Sequence, residues 1–236
     1  MTINVREPWA VYELDGDSTD ATGNQGTLEQ IDNPNTGILG QGATGIGKNL
    51  TLTEANFLFT GSSSFGFWYN ITAGDLTWSD GDGLTSSFLG SDPDSYYFNL
   101  GCDGTNIILY LHGSVSKDQI TSITAAGWHH FAFTRVTNSI QFFVDGVAVG
   151  TPSDVVPGSD SGGSDQFTIG LSEGSGIFDQ PVFAEVAYTA EEWDYIYNSG
   201  VGRLYVDWNP VETSIGIASF GSGNGFGNLS HGNGFN

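Results

Sequence analysis

One stretch of the sequence decides the fold. It reads Gly127-Trp128-His129-His130-Phe131-Ala132-Phe133-Thr134-Arg135-Val136, then Thr137-Asn138-Ser139, then Ile140-Gln141-Phe142-Phe143-Val144-Asp145-Gly146. Two β-branched and aromatic runs flank a short polar turn, and the Asp-Gly pair that follows favours positive φ at both turn positions. By the period of two, Phe131 and Phe133 share one face, whereas His130, Ala132 and Thr134 share the other. The stretch therefore predicts consecutive hairpins of an antiparallel sheet.

Short strands separated by turn signals fill most of the remaining chain. Asp, Asn, Gly and Pro recur at close spacing, with aromatic and β-branched runs between them. This pattern is typical of an all-β sandwich or barrel and argues against βαβ units. Further strands are predicted at residues 56–59, 64–71, 95–100 and 106–111.

A single helix is expected near the C-terminal end. Thr189 and Glu192 have the spacing of a capping box, in which the hydroxyl accepts from the Glu192 amide and the carboxylate bonds back to the cap. An apolar stripe at spacings of three and four follows, formed by Trp193, Ile196 and Tyr197. Gly200 is predicted as the residue that ends the helix.

Charge and cysteine content exclude several classes of protein. The 236 residues include 27 acidic and 5 basic side chains, for a net charge of −22, and a single cysteine. Nucleic acids are bound by clustered Lys and Arg, and anionic membrane surfaces repel acidic proteins, so neither is expected as a partner. One cysteine excludes an internal disulfide framework. The acidity is compatible with solubility, with life in salty water and with binding hard cations such as Ca²⁺, and it does not choose among them.

The last thirty residues differ in composition from the rest. They are rich in Gly, Asn, Ser and Phe, and residues 223–226 (Gly-Asn-Gly-Phe) recur as residues 232–235. We therefore divide the chain into a sandwich domain, residues 1–206, and a C-terminal arm, residues 207–236. A flexible tail and an arm that anchors in another subunit both fit this composition. In the second case the anchors are Phe220, Phe226 and Phe235.

Four segments, taken in order, resemble the concanavalin A-like jelly roll of laminin-G-type domains, in the form found in phage virion and bacterial surface proteins. They are residues 12–24, 64–69, 127–146 and 178–193, and the likeness as a whole covers residues 9–206. The resemblance implies an antiparallel jelly-roll β-sandwich with one short C-terminal helix and the Gly/Asn/Phe-rich tail. The family's acidic pair appears here as Asp179-Gln180, and the following Pro181 indicates an edge or a bulge.

A calcium site is the strongest chemical hypothesis. Asp15, Asp17, Asp20 and Asn24 place several oxygen ligands in one short loop, and calcium takes six to eight oxygens. The resemblance implies that Asp179 of the closing strand joins them. Ordinary turn chemistry explains the same loop without a metal, because Asp, Asn and Gly favour turns, and both explanations stay open.

The remaining side chains offer candidates for sugar binding but none for catalysis. Trp78, Tyr96 and Tyr97 are candidates for stacking on pyranose rings, although core or subunit contacts are the favoured explanation in a sandwich this rich in aromatics. Glucanases of this fold carry Glu-x-Asp-x-(x)-Glu on one strand, because two carboxylates must flank the scissile bond. No such strand is present in the sequence, so no catalytic residue is predicted.

The function expected from the resemblance is non-enzymatic. The first expectation is a structural or interaction protein of a phage particle, such as a capsid decoration, fibre or tail component, which assembles as a homo-oligomer or with other virion subunits through the arm and contacts glycans or the host surface. The N-terminus lacks a secretory signal pattern, which favours this virion location. The alternative is a calcium-dependent carbohydrate-binding or adhesion module at the bacterial surface or outside the cell.

Overall fold

A computed structural model describes residues 3, 5–15, 19–24, 34–44, 50–52, 61–72, 86–91, 99–102, 106–110, 117–122, 126–137, 139–154, 167–169 and 176–208. Every strand pair in these ranges is antiparallel, and they contain a single α-helix, which confirms the predicted all-β class. The strands are β1 (Ala10–Val11), β2 (Pro34–Thr36), β3 (Gln41–Thr44), β4 (Leu50–Leu52), β5 (Ser63–Ile71), β6 (Ser86–Ser91), β7 (Asn99–Cys102), β8 (Asn106–Tyr110), β9 (Lys117–Ser122), β10 (Gly127–Val136), β11 (Ser139–Val144), β12 (Val147–Asp154), β13 (Phe167–Ile169) and β14 (Ile177–Ala184), and the helix is α1 (Ala190–Tyr197).

The strands form the two sheets of a β-sandwich. The larger sheet has the order β12-β11-β10-β5-β14-β3-β2, and β1 pairs with the far end of β14. The smaller sheet has the order β4-β13-β6-β7-β8-β9. The side chains that the structure describes lie mainly on the larger sheet and on the elements packed against it.

Most of the strand predictions are confirmed within the described ranges. β5, β8 and the β10–β11 hairpin lie where the sequence places them, and β7 covers the end of the strand predicted at 95–100. The strand predicted at 56–59 and residues 95–98 lie outside the described residues. The Asp-Gly turn is confirmed by its backbone, because φ is 52° at Asp145 and 75° at Gly146.

The larger sheet is buried on both faces along its centre. In β5, every residue from Ser63 to Tyr69 is buried, although successive side chains point to opposite faces. Phe131 and Phe133 of β10 lie on the inner face of the sandwich, and His130 and Ala132 lie on the outer face, as predicted. A sheet with two apolar faces needs a covering layer on each side.

Aromatic rings form the inner core. The Phe65 ring centroid lies 4.7 Å from that of Phe183 and 5.9 Å from that of Phe133. Phe67 contacts Phe178 in the same way, at 5.6 Å. Tilted pairs of this kind contribute about 0.5–1.5 kcal/mol each beyond the area they bury, so the packing of this layer is specific as well as apolar.

Helix α1 covers the outer face of the larger sheet. The side chain of Trp193 is fully buried, and its indole Nε1 donates to Thr134 Oγ1 at 3.0 Å. The indole lies over Gly66 of β5, where a Cβ would come within 2.8 Å of Trp193 Cζ3. We call this layer the outer core; its buried members are Val5, Val11, Ala132, Phe143, Val182, Ala184, Tyr188, Trp193, Ile196 and Trp208.

The ends of helix α1 show one confirmed prediction and one error. The capping box is confirmed, because the Glu192 amide donates to Thr189 Oγ1 at 3.3 Å and the Thr189 amide donates to Glu192 Oε2 at 2.7 Å. The prediction that Gly200 ends the helix is wrong. Asn198 is the left-handed cap, with φ 50°, and its side-chain amide donates to the Gly202 carbonyl at 2.8 Å. Asn tolerates this conformation because its short polar side chain bonds locally.

The two ends of the described chain are held against helix α1. The Arg6 amide and Nε both donate to Glu192 Oε1 at 2.9 Å, and Arg6 Nη2 donates to the Ala187 carbonyl and to Glu192 Oε2. Burial acts to raise the pKa of Glu192, but the hydrogen bonds from Arg6 and Thr189 outweigh it and lower that pKa. Trp208 is fully buried in the outer core, and its Nε1 donates to the Arg203 carbonyl at 3.1 Å.

No helix in the described ranges is both long enough and apolar enough to cross a membrane.

The contact between Gly66 and Trp193 generates a test of the outer core. Gly66→Ala should destabilise the protein by about 1–3 kcal/mol, because the buried indole must move to admit a methyl group. Gly61→Ala is the matched control, since nothing lies within 4 Å of its Cβ position. Chemical denaturation measures both variants, and an equal loss in the two would contradict the packing described here.

Candidate functional site

A bulge in the central strand β14 places Asp179. The register with β5 shifts between Asp179, which pairs with Trp68, and Val182, which pairs with Gly66. From Asp179 to Val182, β14 therefore has one residue more than the paired segment of β5, which is a β-bulge. Pro181 lies in this bulge, where its lack of an N–H group removes no hydrogen bond between the strands. The bulge predicted from Pro181 is confirmed, and it lies in the middle of the sheet.

The Asp179 carboxylate is buried and only half satisfied. Its side chain is fully buried, and Oδ2 accepts from the Leu39 amide at 2.9 Å. Oδ1 has no hydrogen-bond partner among the described residues. Burial raises the pKa of Asp179 to about 7, against the lowering effect of backbone amides that include Leu39, and the charge of Asp15 raises it further. The site therefore holds a carboxylate whose negative charge is only partly compensated by backbone amides.

Asp15 binds the backbone at the end of the same turn. Its Oδ1 accepts from the Gln41 amide at 2.7 Å, and the turn itself is closed by the Gly37 amide, which donates to the Gly40 carbonyl at 2.9 Å. Side chains are excluded at both glycines, because a Cβ at Gly37 would meet Asp179 Oδ2 and one at Gly40 would meet Asp15 Oδ1. Two predicted metal ligands that lie far apart in sequence thus come together at one turn, residues 37–40, which we call the rim turn.

Asp20 and Asn24 belong to a different arrangement. Asp20 Oδ1 accepts from the amides of Val11 and Thr22, at 2.9 and 3.0 Å. Its Oδ2 accepts from the Thr22 hydroxyl at 2.6 Å and from the Asn24 amide at 3.0 Å. Asp20 is buried and Asn24 is exposed. These four bonds show that the carboxylate closes the 20–24 turn, which is the turn chemistry that the sequence left open.

The calcium hypothesis fits one part of the predicted ligand set. Asp15 and Asp179 supply carboxylate oxygens at the rim turn, and the buried Oδ1 of Asp179 is an acceptor without a donor. Within the described ranges no three His, Cys, Asp or Glu side chains are grouped as metal ligands, and Asp17 lies outside those ranges. Calcium accepts backbone carbonyls and water beside carboxylates, so a pair of carboxylates is compatible with a site.

A second polar feature crosses the outer face of the larger sheet. His130, Trp68 and Asp179 are direct cross-strand partners on β10, β5 and β14, so their side chains share that face. Within the described part, the buried side-chain atoms without a hydrogen-bond partner are Trp68 Nε1, His130 Nδ1, His130 Nε2, Asp179 Oδ1 and Gln180 Oε1. We call these three cross-strand partners and Gln180 the polar row. Local sequence patterns do not indicate it, because it depends on the register of three strands.

His129 and His130 have different environments. His129 Nδ1 lies 2.9 Å from Asp145 Oδ2, and both side chains are partly exposed. The backbone of His130 is fixed to the same aspartate, because its amide donates to Asp145 Oδ1 at 2.9 Å and its carbonyl accepts from the Asp145 amide at 2.8 Å. The adjacent histidines are thus held by the Asp-Gly turn, as expected for packed or rim histidines in a hairpin.

The other predicted site residues lie outside the described residues. They are the glycan candidates Trp78, Tyr96 and Tyr97 and the assembly candidates Phe220, Phe226 and Phe235. Their roles stay predictions.

Residues 44–193, more than half of the chain, match the laminin-G family model described as the concanavalin A-like lectin/glucanases superfamily. The chain belongs to this superfamily. No curated protein matches the sequence.

Solved structures share the superfamily fold at low sequence identity. Domain 4 of AbnA, a GH43 extracellular arabinanase from Geobacillus stearothermophilus solved with arabinotriose, is 23% identical, with a TM-score of 0.57 over 85% of this chain and 100% of that domain. The sialidase of Trypanosoma rangeli, solved with the inhibitor DANA, is 14% identical, with a TM-score of 0.57 over 85% of this chain and 33% of the sialidase. The binding domain of botulinum neurotoxin serotype D is 12% identical, with a TM-score of 0.55 over 82% of this chain and 52% of that domain. The chain thus spans about a third of the sialidase and about half of the toxin domain.

The hydrogen bonds of Asp20 generate a test that separates turn chemistry from metal binding. Asp20→Ala should lower the free energy of unfolding by about 2–4 kcal/mol, because four donors lose their acceptor. The loss should be the same with calcium and with a chelator, as measured by thermal unfolding. A loss that appears only with calcium would instead make Asp20 a ligand.

Proposed function

We propose that the chain is a non-enzymatic glycan-binding module that uses a calcium ion held by Asp15 and Asp179 at the rim turn. A bound calcium ion offers open coordination positions to sugar hydroxyls. The observation that carries the proposal is the pair of carboxylates on one turn, of which the buried one has an acceptor without a donor.

The electrostatics of the rim turn support a cation as the missing partner. A buried carboxylate with one bare oxygen is costly when ionised, and a second carboxylate nearby makes it costlier. A cation reverses both effects, since it compensates the two charges together. The backbone amides that bind Asp179 Oδ2 and Asp15 Oδ1 already fix the orientation of both side chains.

A binding role fits the chain better than hydrolysis. The sequence contains no strand with the alternating carboxylates of the superfamily's glucanases. At the rim turn, Asp15 and Asp179 each accept a hydrogen bond from a backbone amide, an arrangement that suits fixed ligands. The arabinanase domain solved with arabinotriose shares the fold over its whole length. We therefore place the module outside the cell or at a cell surface, where glycans are displayed.

A glycan array, read with calcium and again with a chelator, tests the proposal. Binding should appear with calcium and disappear with the chelator. Asp179→Asn and Asp15→Ala should abolish it, because each removes a charged ligand. Glu185→Gln is the matched control, since it removes one acidic charge from an exposed position outside the rim turn.

Thermal unfolding separates the metal from the sugar. Calcium should raise the Tm of the unaltered protein and of Glu185→Gln, and it should leave the Tm of Asp15→Ala unchanged. Glycan binding that survives in chelator, or a calcium shift that survives in both rim variants, would contradict the proposal.

A virion role is the second candidate function, and the C-terminal arm is the observation that favours it. The arm repeats Gly-Asn-Gly-Phe and carries two charged residues, Asp207 and Glu212, in a chain with a net charge of −22. Its root, Trp208, is fixed in the outer core. A weakly charged, Phe-bearing segment on a rigid root suits docking into a neighbouring copy or another virion subunit, with Phe220, Phe226 and Phe235 as anchors.

Truncation tests the arm. Deleting residues 209–236 should leave the sandwich folded, because Trp208 remains, and should reduce the oligomer size measured by light scattering. Deleting residues 207–236 should in addition lower Tm, because Trp208 leaves a cavity in the outer core. An unchanged oligomer size after the first deletion would remove the arm from assembly.

A further inference from the structure

His130 is a fully buried ionisable side chain in an aromatic environment. None of its side-chain surface is exposed, and neither ring nitrogen has a hydrogen-bond partner among the described residues. Its ring centroid lies 5.1 Å from that of Trp68 and 5.6 Å from that of Trp193. The imidazole therefore lies between β5 and helix α1, where its neutral form packs and its charged form has no acceptor.

The titratable groups near His130 come from its own hairpin, from helix α1 and from β14. On its own strand, His129 binds Asp145, and Asp145 is the charge that favours protonation of His130. Helix α1 contributes Tyr197 and Asp194 near Gly146 of the same turn. From β14, Asp179 lies beyond Trp68 in the polar row. Asp145 binds the His130 amide and is partly exposed, so water weakens its field at the ring.

We propose that His130 is an acid-sensitive latch: its protonation releases helix α1, together with residues 198–208 that follow it, from the outer face of the larger sheet. A charged imidazole must reach water, and helix α1 is the element that covers it. Trp193, Ile196 and Trp208 belong to the same outer core, so lifting the helix exposes them together. The inner core lies on the opposite face of the larger sheet from His130, so we expect it to remain packed when the helix is released.

The direction of the pH effect follows from the two states of the side chain. Burial lowers the pKa of His130 to about 4, against the opposing charge of Asp145, whereas an exposed histidine titrates near 6.5. Above pH 6.5 the ring is neutral in both states, so the latch is closed and independent of pH. Between pH 6.5 and about 4 only the open state binds the proton, so opening should increase about tenfold for each unit by which the pH falls.

Other titrations near the helix act in a different range or direction. The pKa of Glu192 is lowered, because the hydrogen bonds from Arg6 and Thr189 outweigh burial, so acid breaks its bond to Arg6 at a lower pH than for an ordinary glutamate. The pKa of Asp179 is raised to about 7, so its titration favours the folded state as the pH falls. Loss of negative charge from a chain with a net charge of −22 also relieves self-repulsion. An acid-induced opening between pH 6.5 and 4 therefore points to His130.

Hydrogen exchange of the full chain, measured by mass spectrometry at several pH values, tests the latch. After correction for intrinsic exchange rates, protection of residues 190–197 should fall about tenfold per pH unit below 6.5, while residues 63–71 stay protected. His130→Phe keeps an aromatic ring and removes two unpartnered nitrogens, so it should fold and should abolish this pH dependence. His129→Gln is the matched control and should retain it. A variant His130→Phe with the same acid response would overturn the proposal.

NMR titration of the unaltered protein gives a second, independent outcome. The chemical shifts of the His130 ring should remain those of a neutral imidazole down to about pH 4. The Trp193 indole signal should broaden over the pH range in which these shifts change. Titration of His130 near pH 6.5 in the closed protein would overturn the proposal, as would simultaneous loss of protection in helix α1 and strand β5.

Discussion

Burial of both faces of the larger sheet is the constraint on which the rest of the structure depends. Strand β5 packs aromatic rings inward against Phe183 and Phe178 and presents Gly66 and Trp68 outward to helix α1. In a sandwich of only two layers, the outer face of this sheet would be exposed to water, although many of its residues are apolar. It needs the helix, the N-terminal segment and Trp208 as a third layer, and that layer in turn determines where polar chemistry can lie.

The buried polar side chains lie at the places where the apolar packing on the outer face of the larger sheet is interrupted. The bulge of β14 turns Asp179 toward the rim turn, where Asp15 meets it, and the cross-strand register puts His130 and Asp179 on either side of Trp68. Oδ1 of Asp179 and both ring nitrogens of His130 have no hydrogen-bond partner among the described residues. We propose that both groups respond to something outside the fold: a cation in the case of Asp179 and a proton in the case of His130.

The sequence predicted local features well and long-range features poorly. The Asp-Gly turn and the Thr189–Glu192 capping box depend on residues within a few positions, and both are confirmed. The helix end was misplaced, because Asn198 adopts the left-handed conformation usually assigned to glycine. The Arg6–Glu192 contact joins residues 186 positions apart, and no local pattern encodes it. The pairing of Asp15 with Asp179 was expected from the family resemblance, whereas the separate role of Asp20 appears only in its hydrogen bonds.

The central claim is that the larger sheet is covered on both faces and that the protein therefore binds its ligand at the rim turn. The most direct measurement is a calcium titration of isotope-labelled protein, followed through the backbone amide signals by NMR. We predict saturable shifts centred on Leu39 and Gln41, whose amides bind the two carboxylates, while the signals of β5 and β10 stay in place. Shifts centred on the 20–24 turn, or the absence of any saturable shift, would contradict the claim.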